Sequence, residues 1–369
     1  MWIFNMIYWS WGWWGNYKTF TCYIDESKSD PSQMVTYWSD VRYSAWSSDW
    51  DNFFWYYPCL LNTSWVETAK LKTTDYSKDT SWNSVNITSW DNVMICFPRL
   101  WVNMSKSWDI ITIQITDDPN KSWFTYLAHS RTNSDKDKFY VWAYQAYSSS
   151  NVLKSWSGQT PTTNIWNDVS RTRARANWTW YEMFAFYQKT FIQILYIFKY
   201  KNLNSQSTVW MWYVWWSAKQ TTWATNAEWM NYWTSSTTWR VKLFWIEDLW
   251  WNVNEWCEWY YWSWENHYLS YDNFNLTQSN YSTTFVRSEW AWWISKAYWT
   301  SELWFMASKN SWGQSTYYSD KSASDSWTHI PFMWWQWNSW YEWGIFHIYA
   351  NNASSASWYN DIWARIMYL

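Results

Sequence analysis

Short runs in which hydrophobic and polar residues alternate dominate the first part of the chain. A period of two is typical of strands that bury one face. The pattern predicts strands over Lys18–Cys22, Met34–Tyr37, Asn92–Pro98, Ile110–Thr116 and Lys138–Tyr144. Turn-forming Asp, Asn, Ser and Pro residues separate these runs, so we expect antiparallel hairpins, one of them between Met104 and Thr116.

Two segments instead follow a helical period. Val169–Asn177 predicts a short helix, and we expect Asn167 or Asp168 to cap it. Thr179 and Glu182 have the spacing of a capping box, which predicts a second helix from Trp180 to about Lys201. This helix is apolar almost all round and is therefore expected to be buried. Three polar residues, Gln188, Lys189 and Gln193, interrupt the helix. No apolar run in it therefore reaches the roughly 18 residues that a membrane span needs.

Tryptophan and glycine have exchanged their usual abundances. The chain of 369 residues contains 49 Trp and 5 Gly, whereas glycine ordinarily makes up about 7% of a protein. Many of the tryptophans follow serine in turn-like surroundings: Ser64-Trp65, Ser81-Trp82, Ser89-Trp90, Ser107-Trp108, Ser122-Trp123 and Ser155-Trp156. Ser-Gly is the usual turn dipeptide. Trp178 likewise follows a predicted helix at the place where glycine commonly ends one.

These positions predict that most of the tryptophans are glycines in the organism. The gene would use UGA as a glycine codon, and the sequence would have been translated with UGA as tryptophan. The alternative is a protein that is truly rich in tryptophan, at a membrane interface or for stacking on carbohydrate, which predicts periodic aromatic stripes.

Charge and cysteine content exclude several classes of protein. The net charge is −3 and only 15% of the residues are charged, so we expect neither nucleic-acid binding nor membrane insertion. The four cysteines, Cys22, Cys59, Cys96 and Cys257, lie far apart without a Cys-x-x-Cys spacing. This argues against a zinc site or a disulfide scaffold and predicts free, buried thiols.

Two segments form more specific motifs. The first, from Phe244 to Trp256, contains Glu247, Asp248, Trp250, Asn252, Glu255 and Trp256. The second joins Trp334–Trp337 to Asp361–Arg365 and supplies Trp337 and Arg365. They resemble the "G-x-E-D-x-W-G-N-V-x-E-W" and "G-G-x-W … G-x-R" signatures of the formylglycine-generating-enzyme (sulfatase-modifying factor) type of C-type lectin fold. The family's glycine places are filled here by Trp245, Trp251, Trp334, Trp335 and Trp363. Trp50, Trp250, Trp256 and Trp337 are expected to be genuine tryptophans.

The resemblance implies an α+β fold with two helices, short antiparallel strands and long loops. This C-type-lectin-like domain would cover residues 89–369, after a glycine-rich-like flexible lead (1–16) and a small β-rich region (17–88). The chain is similar to phage tail and receptor-binding proteins that carry this domain. The implied setting is a virion, and the implied partners are a host surface glycan or protein receptor, other tail proteins and further copies of the chain. A secreted or surface-displayed bacterial adhesion protein is the alternative.

We expect no enzymatic activity. Enzymes of this family oxidise a substrate cysteine with a pair of cysteines late in the domain, and no cysteine follows Cys257. No catalytic residue, metal ligand or cofactor is therefore expected. Calcium is conceivable at Asp117-Asp118 or Asp49–Asp51, but no calcium motif supports it, and acidic residues beside turns are usually just solvated.

Residues between Trp334 and Asn360 alternate between core-like side chains and Tyr, Asn and Ser, which are the residues favoured in binding loops. The predicted receptor-binding residues are Gln336, Asn338, Tyr341, Glu342, His347, Tyr349, Asn351, Asn352, Ser354, Ser355, Ser357 and Tyr359. A solvated strand and loop surface is the equally open alternative.

Overall fold

The structure is a computed structural model that describes most of the chain. The described residues are 17–37, 55–131, 135–178, 180–209, 220–233, 240–249, 252–263, 266–270, 283–286, 292–311, 313, 315–324, 330–333, 344–350 and 362–368. The predicted lead, residues 1–16, lies outside them.

The described chain contains 26 strands and four helices. The strands are β1 Thr19–Asp25, β2 Val35–Tyr37, β3 Tyr57–Leu61, β4 Glu67–Lys72, β5 Asp75–Asp79, β6 Asn92–Pro98, β7 Trp101–Ser107, β8 Ile110–Thr116, β9 Lys138–Trp142, β10 Tyr147–Ser149, β11 Val152–Lys154, β12 Tyr181–Met183, β13 Tyr232–Trp233, β14 Val241–Leu243, β15 Ile246–Glu247, β16 Asn254–Trp256, β17 Tyr260–Ser263, β18 Asn266–Leu269, β19 Thr283–Val286, β20 Trp292–Tyr298, β21 Met306–Ser311, β22 Lys321–Ser324, β23 Phe332–Met333, β24 Ile348–Ala350, β25 Ile362–Trp363 and β26 Ile366–Tyr368. The helices are α1 Pro31–Met34, α2 Asn167–Arg175, α3 Phe186–Tyr200 and α4 Ser205–Thr208, with a 3₁₀ turn at Leu127–His129.

Two seven-stranded sheets are the largest sheets in the part of the chain that the structure describes. Their strand orders are β12-β26-β9-β6-β3-β4-β5 and β21-β20-β22-β24-β23-β16-β25. Smaller sheets accompany them, with the orders β2-β1-β8-β7, β10-β11, β13-β14-β15 and β17-β18-β19. The first large sheet combines β3–β5 with β6, β9 and β26, so it contains strands from both sides of the predicted boundary at residue 88.

The alternating pattern of the first half specifies its hairpins. Ile111, Ile113 and Ile115 on β8 are fully buried, while the residues between them face outward. All seven residues of β7 pair with β8, from Trp101 opposite Thr116 to Ser107 opposite Ile110. The predicted strands in this half are confirmed, and the bounds of β6 and β8 match the prediction at both ends.

Helix α3 packs in the middle of the core. Its residues from Phe186 to Lys199 are all buried, as its nearly uniform apolar surface predicted. Phe191 lies edge-on to Phe97 of β6 at 6.4 Å and to Phe139 of β9 at 5.8 Å. On its other side Phe191 contacts Trp304, next to the second large sheet. The helix ends at Tyr200; its C-cap Lys201 donates its N–H to the Ile197 carbonyl and has a left-handed backbone (φ 52°), as is common where a helix ends.

Both predicted helix starts need correction. Helix α3 begins at Phe186, not at Trp180, because Tyr181–Met183 form β12 and pair with Ile366–Tyr368. Glu182 accepts hydrogen bonds from Arg175 at 2.7 and 3.0 Å, and Thr179 lies outside the described residues. Sheet pairing and an ion pair thus outweigh the local capping signal. Helix α2 has Trp166 as its N-cap without a side-chain hydrogen bond, so the predicted capping by Asn167 or Asp168 is wrong.

The predicted α+β class with two helices is also wrong. Of the residues that the structure describes, 41% lie in strands and 14% in helices, and the helical residues are spread over four helices, so the described fold is rich in β-sheet. Many strands after residue 202 are only two to four residues long, too short to show a period of two in the sequence. Their pairing with distant strands makes them strands, and this pairing is not visible locally.

Tryptophan frequently occupies left-handed backbone positions. Of the 24 tryptophans among the described residues, ten have a positive φ: Trp55, Trp65, Trp82, Trp90, Trp108, Trp123, Trp223, Trp245, Trp259 and Trp304. Trp178 is not one of them, and α2 ends before it, at the right-handed C-cap Ala176 (φ −66°). Trp256 is fully buried, as expected of a genuine tryptophan. Trp50, Trp250 and Trp337 lie outside the described residues.

Candidate functional site

The two sequence motifs meet at a buried ion pair. Glu255 lies on β16 and Arg365 between β25 and β26, and both side chains are fully buried. The Arg365 Nε donates to Glu255 Oε1 at 2.8 Å. Its two Nη groups donate to the carbonyls of Trp142, Glu247 and Asp248 at 2.9–3.2 Å. Arg365 therefore ties the end of the chain to β9, β15 and β16.

Lys189 on α3 completes this cluster. Its ammonium group lies 3.4 Å from Glu255 Oε2 and is fully buried. Burial lowers the pKa of Lys189, while the Glu255 carboxylate opposes that change. One carboxylate thus faces two buried cations, and we call Glu255, Arg365 and Lys189 the core triad.

Other residues of the first motif organise a neighbouring loop. The Glu247 carboxylate accepts the backbone N–H groups of Trp223 and Thr225 at 2.8 Å. Asn252 exchanges two hydrogen bonds with the backbone of Gln220. Both side chains are buried, so they act as backbone-binding groups for residues 220–225.

Asp248 pairs with Arg240 in the same region. Burial raises the pKa of Asp248, although the guanidinium of Arg240 acts in the opposite direction. The described signature residues Glu247, Asp248, Asn252, Glu255, Trp256 and Arg365 are all buried. They come together as the polar framework of the core, where they are inaccessible to a ligand.

Two of the predicted receptor-binding residues lie within the described structure. His347 is fully buried, its Nδ1 lies 2.7 Å from the Lys321 carbonyl, and burial lowers its pKa well below the usual range. Tyr349 on β24 is half-buried, with its ring 5.0 Å from that of Phe332. For these two positions the structure favours a packing role. Lying outside the described residues are Gln336, Asn338, Tyr341, Glu342, Asn351, Asn352, Ser354, Ser355, Ser357 and Tyr359.

Residues 344–347, between these predicted binding segments, are held by a second buried polar cluster. Asp320 accepts the backbone N–H groups of Gly344 and Phe346. Ser205 on α4 accepts the N–H of Ile345 at 3.0 Å, and Gln193 on α3 donates to the Ile345 carbonyl at 2.8 Å. We call Gln193, Ser205 and Asp320 the loop clamp.

Gly344 fits the loop clamp because it has no side chain. A Cβ at this position would lie 2.1 Å from Ser205 Oγ and 2.6 Å from Asp320 Oδ1. Burial raises the pKa of Asp320 to about 8. The hydrogen bonds to Asp320, Ser205 and Gln193 together hold the backbone of residues 344–346 in place.

Sequence reasoning missed the loop clamp. The available signal was the set of polar residues inside the apolar helix α3. Three of these residues bind a distant group: Gln188 the Ala128 carbonyl, Lys189 the Glu255 carboxylate, and Gln193 the Ile345 carbonyl. A polar residue inside a buried helix needs such a partner, but the sequence does not show which one.

In the second large sheet, the end of β23 and the beginnings of β24 and β25 lie at the same end of the sheet. Strand β23 runs antiparallel to β16 and β24, and β25 runs parallel to β16. The chain therefore leaves β23 at Met333, enters β24 at Ile348 and enters β25 at Ile362 at the same end of the sheet. We call this the entry end.

A shallow groove of about 740 Å³ lies elsewhere, beside β5. Its lining side chains carry no charge: Ser77, Ser84, Val85, Asn86, Ile87, Thr88, Ser157, Gly158, Trp223 and Asn226. Asn226 donates to Ser157 Oγ at 2.8 Å and accepts from the Tyr144 hydroxyl. The groove thus offers neutral hydroxyl and amide groups.

The cysteines are free and buried, as predicted. Burial raises the pKa of Cys257 to about 12, which keeps the thiol protonated and unreactive at neutral pH. Among the described residues, no three His, Cys, Asp or Glu side chains are grouped as a metal site would require. Asp117 and Asp118 accept the backbone N–H groups of Lys18 and Asn120, and Asp49–Asp51 lie outside the described residues.

No described helix is long and apolar enough to cross a membrane. Comparison with known proteins gave no matching family model and no matching curated protein.

Proposed function

We propose that this chain is a binding protein without enzymatic activity, which recognises a receptor on the surface of a bacterial cell as part of a phage tail or fibre tip. The receptor is a surface glycan or protein, and the other partners are tail proteins and further copies of the chain. The alternative with the same binding role is a secreted or surface-displayed bacterial adhesion protein.

The observation that carries the proposal is the anchoring of residues 344–347 at the entry end. Binding residues are commonly found in loops that a rigid scaffold positions. The loop clamp and β24 fix the chain between segments 334–343 and 351–361, which contain the Tyr, Asn and Ser residues typical of binding loops.

The buried polar groups support binding rather than catalysis. Each ionisable group of the core triad faces an ion-pair partner in the protein interior. The four thiols are buried, and burial raises the pKa of each. None of these groups is placed to reach a substrate.

Adsorption to cells tests the proposal. Fluorescently labelled protein is added to a panel of bacterial cells that includes lineages reading UGA as glycine, and bound fluorescence is measured. We expect saturable binding to at least one lineage, and loss of at least 90% of it in the double variant Tyr341→Ala/Tyr359→Ala. The matched control, Tyr17→Ala/Tyr298→Ala, removes two exposed tyrosines elsewhere and should bind normally.

Far-UV circular dichroism and thermal unfolding of both double variants show whether each is folded. A folded Tyr341→Ala/Tyr359→Ala variant that adsorbs like the parent protein would contradict the proposal, as would a parent protein that binds no cell in the panel. Tail and baseplate genes beside this gene would favour the virion over the adhesion protein.

A further inference from the structure

Seven of the tryptophans that the structure describes combine a positive φ with an exposed side chain. They are Trp55, Trp65, Trp82, Trp90, Trp108, Trp123 and Trp223, with exposed fractions from 45% to 94%. A positive φ is uncommon in residues with a side chain and is a rare outlier for bulky ones. Six of the seven rings are more than half exposed and gain little from burial that could offset the backbone strain, whereas the ring of Trp65 also contacts those of Trp178 and Tyr368.

Two of these tryptophans occupy the same position in the same kind of turn. Asn62 and Asp79 each accept the backbone N–H two residues later on a side-chain oxygen. Their carbonyls accept the N–H of Trp65 at 3.2 Å and of Trp82 at 2.9 Å. The tryptophan is therefore the fourth residue of the turn, and glycine is the preferred residue there.

Trp108 occupies a glycine position of a different turn. Ser107 pairs with Ile110, so Trp108 and Asp109 form a two-residue hairpin loop. Trp108 has φ 55°, whereas Asp109 is not among the residues of positive φ. A positive φ at the first loop residue alone defines a type II′ turn, which has glycine at that place.

Trp223 has the most extreme backbone of the seven. Its φ of 127° is far from the left-handed helical region that side chains tolerate. Its N–H is held by Glu247 at 2.8 Å, so a buried carboxylate fixes this conformation. The ring lines the shallow groove beside β5, and glycine at this position would open the groove.

Other tryptophans show the opposite combination. Trp142, Trp256 and Trp299 are buried in the core and are not among the residues of positive φ. Trp299 donates its ring N–H to the Tyr318 hydroxyl at 3.0 Å and packs on Phe305 at 4.8 Å. At these three positions the ring fills space in the core.

We propose that the functional protein carries glycine at the seven exposed positions, specified by UGA codons, and tryptophan at positions 142, 256 and 299, specified by UGG. The cell that makes the protein then needs a glycine-accepting tRNA that pairs with UGA. Because the functional protein would lack these seven rings, they would not provide a surface for stacking on carbohydrate or for contact with a membrane. This inference is independent of the proposed function.

The codons at these ten positions give the first test. We expect UGA at all seven exposed positions and UGG at positions 142, 256 and 299. UGG at any four of the seven would overturn the proposal. UGA at two or more of the three core positions would overturn the claim that backbone conformation separates the two groups.

Two multiple variants give an independent test on the purified protein. One replaces the seven exposed tryptophans with glycine, and its control replaces Trp142, Trp256 and Trp299 with glycine. We expect the sevenfold variant to unfold at a higher denaturant concentration than the parent protein, which has tryptophan at all of these positions. We expect the core variant not to fold. A sevenfold variant that is less stable than the parent protein would contradict the proposal, whatever the result of the adsorption test.

Discussion

Replacing Trp108 with glycine should stabilise the protein, although glycine ordinarily destabilises a chain. The left-handed backbone of Trp108 (φ 55°) costs a residue with a side chain roughly 1–2 kcal/mol, and glycine avoids this cost. Glycine loses about 0.5–1 kcal/mol more conformational entropy on folding. Because the ring is 94% exposed, its removal sacrifices little packing. The net expectation is a gain of about 0.5–1 kcal/mol in the free energy of unfolding.

Guanidinium-induced unfolding, followed by circular dichroism, measures this change as a shift of the transition midpoint at constant slope. Trp108→Ala is the matched control, because alanine removes the ring but retains the backbone strain. It should be less stable than Trp108→Gly by about 1 kcal/mol.

Trp101→Gly, in β7 of the same hairpin, tests the opposite case. Trp101 is half-buried, its ring lies 6.1 Å from that of Tyr126, and it is not among the residues of positive φ. We expect Trp101→Gly to destabilise the protein by about 1–3 kcal/mol. Equal stability of Trp108→Gly and Trp108→Ala would refute the assignment of a glycine position.

Three further predictions concern the buried polar clusters. Glu255→Gln leaves Arg365 and Lys189 without their shared carboxylate and should lower the free energy of unfolding by about 3–5 kcal/mol; an unchanged unfolding midpoint would argue against the core triad. Asp320 has a folded-state pKa of about 8, above its unfolded value near 4, so its contribution to stability is complete at low pH and is lost as the pH rises from about 4 to 8. Asp320→Asn should flatten this part of the stability–pH curve, and a decline as steep as in the parent would show that another group causes it. Gly344→Ala should destabilise the protein by about 1–3 kcal/mol because its Cβ meets Ser205, and Ser205→Gly in the same chain should restore part of the loss; without any recovery, the clash lies elsewhere.

Local sequence patterns determined the strands and turns of the first half. In β8, Ile111, Ile113 and Ile115 alternate with outward-facing residues, and this period alone specifies the buried face. The turn positions of Trp65, Trp82 and Trp108 were also visible, because a turn that needs a positive φ is signalled by its neighbours as well as by its glycine. The two motifs likewise indicated Glu255 and Arg365 without showing that they are partners.

Tertiary structure alone decided the short strands and the partners of the buried polar residues. Tyr181–Met183 became a strand because Ile366–Tyr368 pair with it, although the local spacing favours a helix start. The loop clamp joins Gln193, Ser205 and Asp320, which are up to 127 positions apart in the chain. Hydrogen bonds of buried polar groups depend on which backbone atoms folding brings within reach, and short strands depend on distant partners. The sequence indicates that a buried polar residue needs a partner, but only the folded structure determines which residue that partner is.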